Sequence, residues 1–195
     1  MNEDLCRLFF GFELPRETSA TAASLRTLVG DPRKAVRWVK GRNIHLTLRF
    51  LGATPRTAVD EIVASVTKHL IKPGPLELTI EGTGIFPAAT RPRVIWIGLT
   101  GDIAGLQALE ESVHEAVGPL GFPRQDREFS PHITLGRVRY PQKVTPDVSM
   151  FLNSEYDPIR FELGKMHLFE SRQDSDGLRY IPLATFPLTA DADQE

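Results

Sequence analysis

Asn43-Ile44-His45-Leu46-Thr47-Leu48-Arg49-Phe50-Leu51 reads as a β-strand, and Pro131-His132-Ile133-Thr134-Leu135 repeats its centre. Alternate side chains of a strand point to opposite faces. His45 and Thr47 therefore share one face, while Ile44, Leu46 and Leu48 turn to a core. His132 and Thr134 stand in the same way against Ile133 and Leu135. A single apolar-flanked His-x-Thr is a weak signal, but a second copy makes a chance match roughly a hundredfold rarer. Threonine also favours strands for its shape alone. Even so, two imidazoles and two hydroxyls on the open sides of two buried strands suit acid–base chemistry on a phosphate.

Outward from the first motif, residues 7–13 read as a strand closed by Pro15, and residues 16–29 as a helix stopped by Gly30 and Pro32. Residues 36–39 form a short strand, 43–51 the motif strand, and 52–55 a turn. Val59, Ile62, Val63, Val66 and Leu70 recur at helical spacing before Pro73-Gly74-Pro75 ends the helix. Strands are expected over 76–85 and 94–99, then a helix capped by Asp102 that buries Ile103, Leu106, Leu109, Val113 and Val117. The second motif strand spans 129–138, a short helical or irregular stretch spans 145–152, and strands at 159–163, 165–169 and 179–186 close the chain. The helices are too few to alternate with every strand, which argues for an α+β fold with antiparallel sheets rather than a doubly wound one. The spacing of the two motifs suggests a pseudo-duplicated, two-lobed molecule with a pseudo-twofold relation between its halves. Residues 1–189 are expected to form that single domain and 190–195 a disordered tail.

The 195 residues carry a formal net charge of −2, which excludes a globally basic nucleic-acid coat. Positive charge nonetheless gathers near both motifs, at Arg33, Lys34, Arg37, Lys40, Arg42 and Arg49, and at Arg124, Arg127, Arg137 and Arg139. That distribution favours an anionic ligand. Cys6 is the only cysteine, so neither a disulfide framework nor a cysteine-based zinc site is available, and Leu5 and Leu8 beside it suggest a buried thiol. The amino terminus lacks a signal-peptide layout, and no apolar run approaches the ~20 residues needed to cross a bilayer. A soluble, cytoplasmic monomer without membrane contact is expected. Two distant histidines leave a divalent ion short of ligands, and there is no HExxH or carboxylate cluster, so neither metal nor cofactor is expected.

Several motifs together carry a family resemblance. They are Arg7-Leu8-Phe9-Phe10 with Leu14-Pro15, the first motif with Phe50-Leu51-Gly52, and Arg91-Pro92-Arg93-Val94-Ile95-Trp96-Ile97-Gly98. The second motif with Arg137 and the closing Arg179-Tyr180-Ile181-Pro182-Leu183 complete the set. In this order they resemble the bacterial and archaeal RNA 2′,3′-cyclic phosphodiesterases, also called 2′-5′ RNA ligases, of the two-histidine phosphoesterase superfamily. The resemblance implies a bilobal fold, each lobe an antiparallel sheet backed by helices, with the two histidine motifs meeting in a central cleft. It implies metal-independent hydrolysis of a terminal 2′,3′-cyclic phosphate to a 2′-phosphate, with His45 as proton donor and His132 as acceptor. RNA bearing such an end, or a small nucleotide cyclic phosphate, would be the substrate. Ligation through a 2′-5′ linkage, or in another class a non-catalytic RNA-end binding module, are the alternatives.

Histidine, with an ordinary pKa of about 6.5, can hold either protonation state near neutrality. Thr47 and Thr134 are placed to donate hydrogen bonds to the phosphate oxygens. The resemblance also makes Arg137 a phosphate or ribose contact, although strict alternation from His132 turns it to the opposite face unless the strand bulges near Gly136. Of the adjacent Phe9 and Phe10 one must face the core, and Phe10 is taken as the ring that stacks on the terminal base. His69, His114 and His167 lack the motif and are read as structural.

Overall fold

The computed structural model describes residues 4–31, 34–124, 128–139 and 145–189. The expected tail at 190–195 and the basic residues Arg33 and Arg127 fall outside the described residues. The elements run β1 (Leu5–Glu13), α1 (Glu17–Arg26), β2 (Val36–Trp38), β3 (His45–Pro55), α2 (Val59–His69), β4 (Leu76–Phe86), β5 (Val94–Gly101) and α3 (Ile103–Val117). They continue with β6 (Ile133–Val138), α4 (Ser149–Leu152), β7 (Ile159–Leu163), β8 (Lys165–Asp174) and β9 (Gly177–Pro187). Two antiparallel sheets result, one ordered β3-β1-β8-β9 and the other β2-β6-β5-β4-β7. The architecture is the α+β arrangement expected from the sequence.

Each sheet buries one face. Leu8, Phe10 and Phe12 of β1, Leu46 and Leu48 of β3, and Leu168 of β8 pack with Ile62 and Val66 of α2 and Leu106, Leu109 and Val113 of α3. The i, i+3, i+4, i+7 spacing of the apolar residues in α3 makes that stripe, and the Asp102 side chain caps the helix by accepting from the Gly105 amide at 2.8 Å. The second sheet buries Ile80, Ile95, Ile97, Ile133 and Leu135 against Ala22 and Leu25 of α1 and Phe151 of α4. Neither sheet is made from one continuous half of the chain. After β1 the chain crosses to the other sheet for α1 and β2, returns for β3 and α2, and only at β8 and β9 comes back to finish the first sheet.

Three stretches differ from the sequence expectation. Residues 52–55 do not turn: they extend β3 and pair with β1 from Leu8↔Gly52 to Leu5↔Pro55. Gly52, at φ 80°, bends the strand there without ending it. The hairpin of β8 and β9 is longer than its apolar residues suggested, reaching Asp174↔Gly177 around a two-residue turn at Ser175-Asp176. Residues 171–177 are polar and open to solvent, so the ladder there is held by backbone hydrogen bonds and leaves no apolar alternation to read. Finally, β6 begins at Ile133, so His132 stands just before its strand. Among the described residues no helix is long and apolar enough to cross a membrane.

Candidate active site

The open faces of the two sheets meet where β3 lies against β6. A cleft of about 820 Å³ opens there, and His45, Thr47, Thr134 and Arg137 all line it. His45 leads β3 and is half-buried. Its Nδ1 lies 2.8 Å from the Asn43 carbonyl oxygen. A carbonyl can only accept, so Nδ1 carries the hydrogen and Nε2 is the nitrogen left for chemistry. Thr47 Oγ1 sits 2.8 Å from that Nε2 and donates to it while the imidazole is neutral; the bond reverses once His45 is protonated. His132 repeats the first half of this device, with Nδ1 2.8 Å from the Ser130 carbonyl oxygen. Each imidazole is thus tied by Nδ1 to a carbonyl two residues upstream.

Aromatic rings hold both histidines from behind. His45 lies 4.9 Å from Phe9 and edge-on to Tyr180 at 4.7 Å between ring centroids. His132 stands edge-on to Phe86 at 5.0 Å and near Trp96 at 6.2 Å. Trp96 lies across Gly84, where a Cβ would come within 2.1 Å of the indole, so only glycine leaves room for the ring behind His132.

These surroundings set the charge state. Burial pushes the His45 imidazole below its ordinary value. The bond to the Asn43 carbonyl opposes this, and the positive charges of Arg137 and His132 lower it further. His132 is lowered for the same leading reason, burial, with the Ser130 carbonyl opposing and Arg137 adding to the depression. The two imidazoles and Arg137 therefore form one electrostatic unit, which enters neutral solution with both rings biased towards the neutral form. Burial pushes the Tyr180 phenol up, so it remains a donor.

The strand irregularities explain how Arg137 reaches this unit. In the β5–β6 ladder Ile95 faces Gly136 but Trp96 faces Thr134, leaving Leu135 as the extra residue of a bulge. The bulge switches parity, so Arg137 opens to the cleft with Thr134 while Val138 turns to the core beside Ile133 and Leu135. β3 carries the same irregularity at the same offset. Phe10 pairs with Arg49 and Gly11 with Thr47, leaving Leu48 as the extra residue. The parity switch turns Arg49 away from the cleft, where it is 5% exposed and bonds Glu110 and the Pro123 carbonyl. Phe50 takes the cleft position five residues past His45, matching Arg137 five residues past His132.

A family model described as the 2′-5′ RNA ligase superfamily matches residues 14–175. The chain belongs to the 2′-5′ RNA ligase superfamily. It is 29% identical over 187 residues to an RNA 2′,3′-cyclic phosphodiesterase of Aquifex aeolicus, covering 93% of this chain and 97% of that protein. A second protein of that name, from Thermus thermophilus, is 32% identical over 147 residues and is covered over 73% of both chains. In structure the chain resembles E. coli LigT complexed with 3′-AMP, with a TM-score of 0.73 and 26% identity over 96% of this chain and all of the other.

Within this 2′-5′ RNA ligase superfamily member, Phe10 does not face the cleft. Its ring is fully buried and packs with Phe186 in the apolar core. The cleft-side ring is Phe9, stacked on Phe169 at 5.2 Å and tilted against Phe50 at 5.7 Å. Two adjacent apolar residues carry no register of their own; pairing of Phe9 with Phe50 on one side and Phe169 on the other settles the parity and turns Phe10, expected from the sequence to stack on the base, into the core. Arg124 is committed to Glu111, and Lys40 and Arg42 both donate to the Asp176 carbonyl at the tip of the β8–β9 hairpin. Asn43 and Tyr180 carry no local pattern that marks them for the site, yet both support His45. Asn43 is 4% exposed; its amide donates to the Leu178 carbonyl at 2.7 Å while its own carbonyl accepts from His45. Among the described residues no three His, Cys, Asp or Glu side chains gather as a metal site. His167, read as structural, is buried on β8 with Nδ1 2.9 Å from the Thr185 hydroxyl.

Proposed function

We propose that this protein hydrolyses RNA 2′,3′-cyclic phosphodiester ends to 2′-phosphomonoesters through His45 and His132. One observation supports the reading above others: two imidazoles, each with Nδ1 tied to a backbone carbonyl, share an electrostatic unit with Arg137, and His45 and Arg137 line one cleft with Thr47 and Thr134. The names of the Aquifex and Thermus relatives and the 3′-AMP in the E. coli relative agree with a nucleotide phosphate as ligand. In the proposed reaction neutral His132 takes a proton from water as the water oxygen attacks phosphorus. The bond from phosphorus to the 3′-oxygen breaks, and protonated His45 gives its proton to that oxygen. The product is a 2′-phosphate beside a free 3′-hydroxyl.

Both rings favour the neutral form in the free protein, so the base is ready at neutral pH and the acid is made when the anionic substrate draws a proton onto His45. Arg137, Thr47 and Thr134 meet the charge growing on the non-bridging oxygens. Arg7, Arg37 and Lys40 continue positive charge along the cleft wall, and the half-exposed ring of Phe50 offers a face to a base.

The test is an oligonucleotide ending in a 2′,3′-cyclic phosphate. The expected product is the 2′-phosphate, with turnover falling about 10²–10⁴-fold in His45→Ala or His132→Ala while RNA affinity is retained. Undiminished turnover in either variant would refute the two-histidine mechanism, and binding without turnover by the unaltered protein would leave a binding module.

A further inference from the structure

Behind the His45–Tyr180 pair lies a second cavity, of about 390 Å³, and both residues line it as well as the main cleft. The pair is thus a partition between two spaces. The remaining polar side chains of the wall are those of Glu13, which pairs across the ladder with His45; of Arg16, Thr18 and Ser19 at the start of α1; and of Arg42. Thr18 is 1% exposed, and its hydroxyl has no hydrogen-bond partner among the described residues. A buried unpaired hydroxyl beside a cavity calls for an explanation.

The chemistry of this wall narrows the ligand. A second phosphate would set its charge against the Glu13 carboxylate. An apolar ligand would desolvate a carboxylate, two guanidinium groups and the Thr18 hydroxyl without offering them polar partners. A nucleobase with donors on one edge and acceptors on another meets both signs. Among the four RNA bases, guanine alone presents two adjacent N–H donors, at N1 and N2, that a carboxylate can accept as a pair. Its O6 and N7 form the acceptor pair to which arginine binds bidentately.

We propose that this second cavity is a guanine subsite for the nucleoside carrying the cyclic phosphate, with Glu13 accepting from N1 and N2 and Arg16 or Arg42 donating to the O6/N7 edge. The inference rests on the phosphodiesterase reading of the main cleft. In that arrangement the phosphate lies at His45 and Thr47, the base passes behind the partition, and the preceding strand follows the basic wall of the larger cleft. The protein would then act preferentially on RNA ends terminating in guanosine.

Four oligonucleotides that differ only in the terminal nucleoside, each ending in a 2′,3′-cyclic phosphate, test the idea beside direct calorimetric binding of guanosine and uridine 2′-phosphates. The guanosine end should show a KM at least about tenfold below the uridine end, with a matching difference in the binding constants. Glu13→Gln should erase both differences, since an amide offers one acceptor where the carboxylate offers two. Glu13 is exposed on its strand end, so folding does not depend on it. Equal KM and equal binding across the bases, or a guanosine preference unchanged in E13Q, would overturn the subsite. Absence of turnover on all four ends, with Glu13-dependent preference for guanosine 2′-phosphate retained, would refute the hydrolytic reading and leave the subsite standing.

Discussion

Replacing Arg137 by Met removes a charge and keeps most of the stem. Strict alternation from His132 would make this a silent surface change. The bulge at Leu135 instead opens Arg137 to the cleft, where its charge reaches His45, His132 and Tyr180. A hydrogen bond to a charged group contributes about 1.5–3 kcal/mol, so losing one to the phosphate should lower kcat/KM about 10- to 150-fold. A second effect has a definite sign. Burial lowers both imidazoles and Arg137 adds to the depression, so removing its charge lets both rise part of the way. The acidic limb of the kcat/KM profile reports the base losing its proton, and the alkaline limb reports the acid losing its own. Both limbs should move to higher pH in R137M, carrying the optimum with them. The assay is hydrolysis of a cyclic-phosphate-ended oligonucleotide between pH 4 and 9, with circular dichroism to verify folding. A folded variant with unchanged kcat/KM and an unmoved profile would refute the parity switch and the shared electrostatic unit together.

Three further outcomes are expected. Asn43→Ala removes the amide that anchors this segment to Leu178, so kcat should fall more than KM rises, and the NMR signals of His45 should show a mixture of tautomers instead of one. An unaltered tautomer would remove Asn43 from the positioning of His45. Phe10→Ala empties a fully buried site and should cost about 3–5 kcal/mol, lowering Tm by roughly 10 °C in thermal unfolding; a shift of a degree or two would contradict its place in the core. Hydrogen bonds from Arg56 and then Arg172 hold the Glu170 carboxyl below its ordinary range. Its contribution to stability is therefore complete above about pH 4.3 and fades as pH falls through the lowered value. Denaturant titrations at pH 3 and pH 6 should differ less in Glu170→Gln than in the unaltered protein, and an equal difference would rule this out.

Much of the molecule was legible from local pattern. The apolar stripe from Leu106 to Val117 and the Asp102 cap marked α3, because helix geometry repeats every 3.6 residues whatever the rest of the chain does. The first His-x-Thr pair likewise announced its shared face, since alternation over two residues needs no knowledge of the partner strand. Signals that depend on a partner failed. Phe9 and Phe10 are adjacent apolar residues, and which one faces the cleft follows from pairing with Phe50 and Phe169. Arg49 looked like one more basic residue near a motif, yet it is buried against Glu110 and the Pro123 carbonyl. The hairpin tip, polar and solvated, gave no sign that its carbonyls latch the segment leading to His45.

By itself, then, the amino-acid order determined the α+β class, the helices, the two motif segments and the chemistry their side chains can perform. Local spacing and the ordinary pKa of each side-chain type are properties of short stretches, so they survive without a fold. The tertiary structure decided that β3 and β6 lie face to face although they belong to different sheets. It also decided that one extra residue at Leu48 and another at Leu135 turn Phe50 and Arg137 into the cleft. A bulge exists only as a mismatch between two paired strands, and burial that lowers an imidazole exists only once the surrounding rings are in place. Neither can be written in one strand alone.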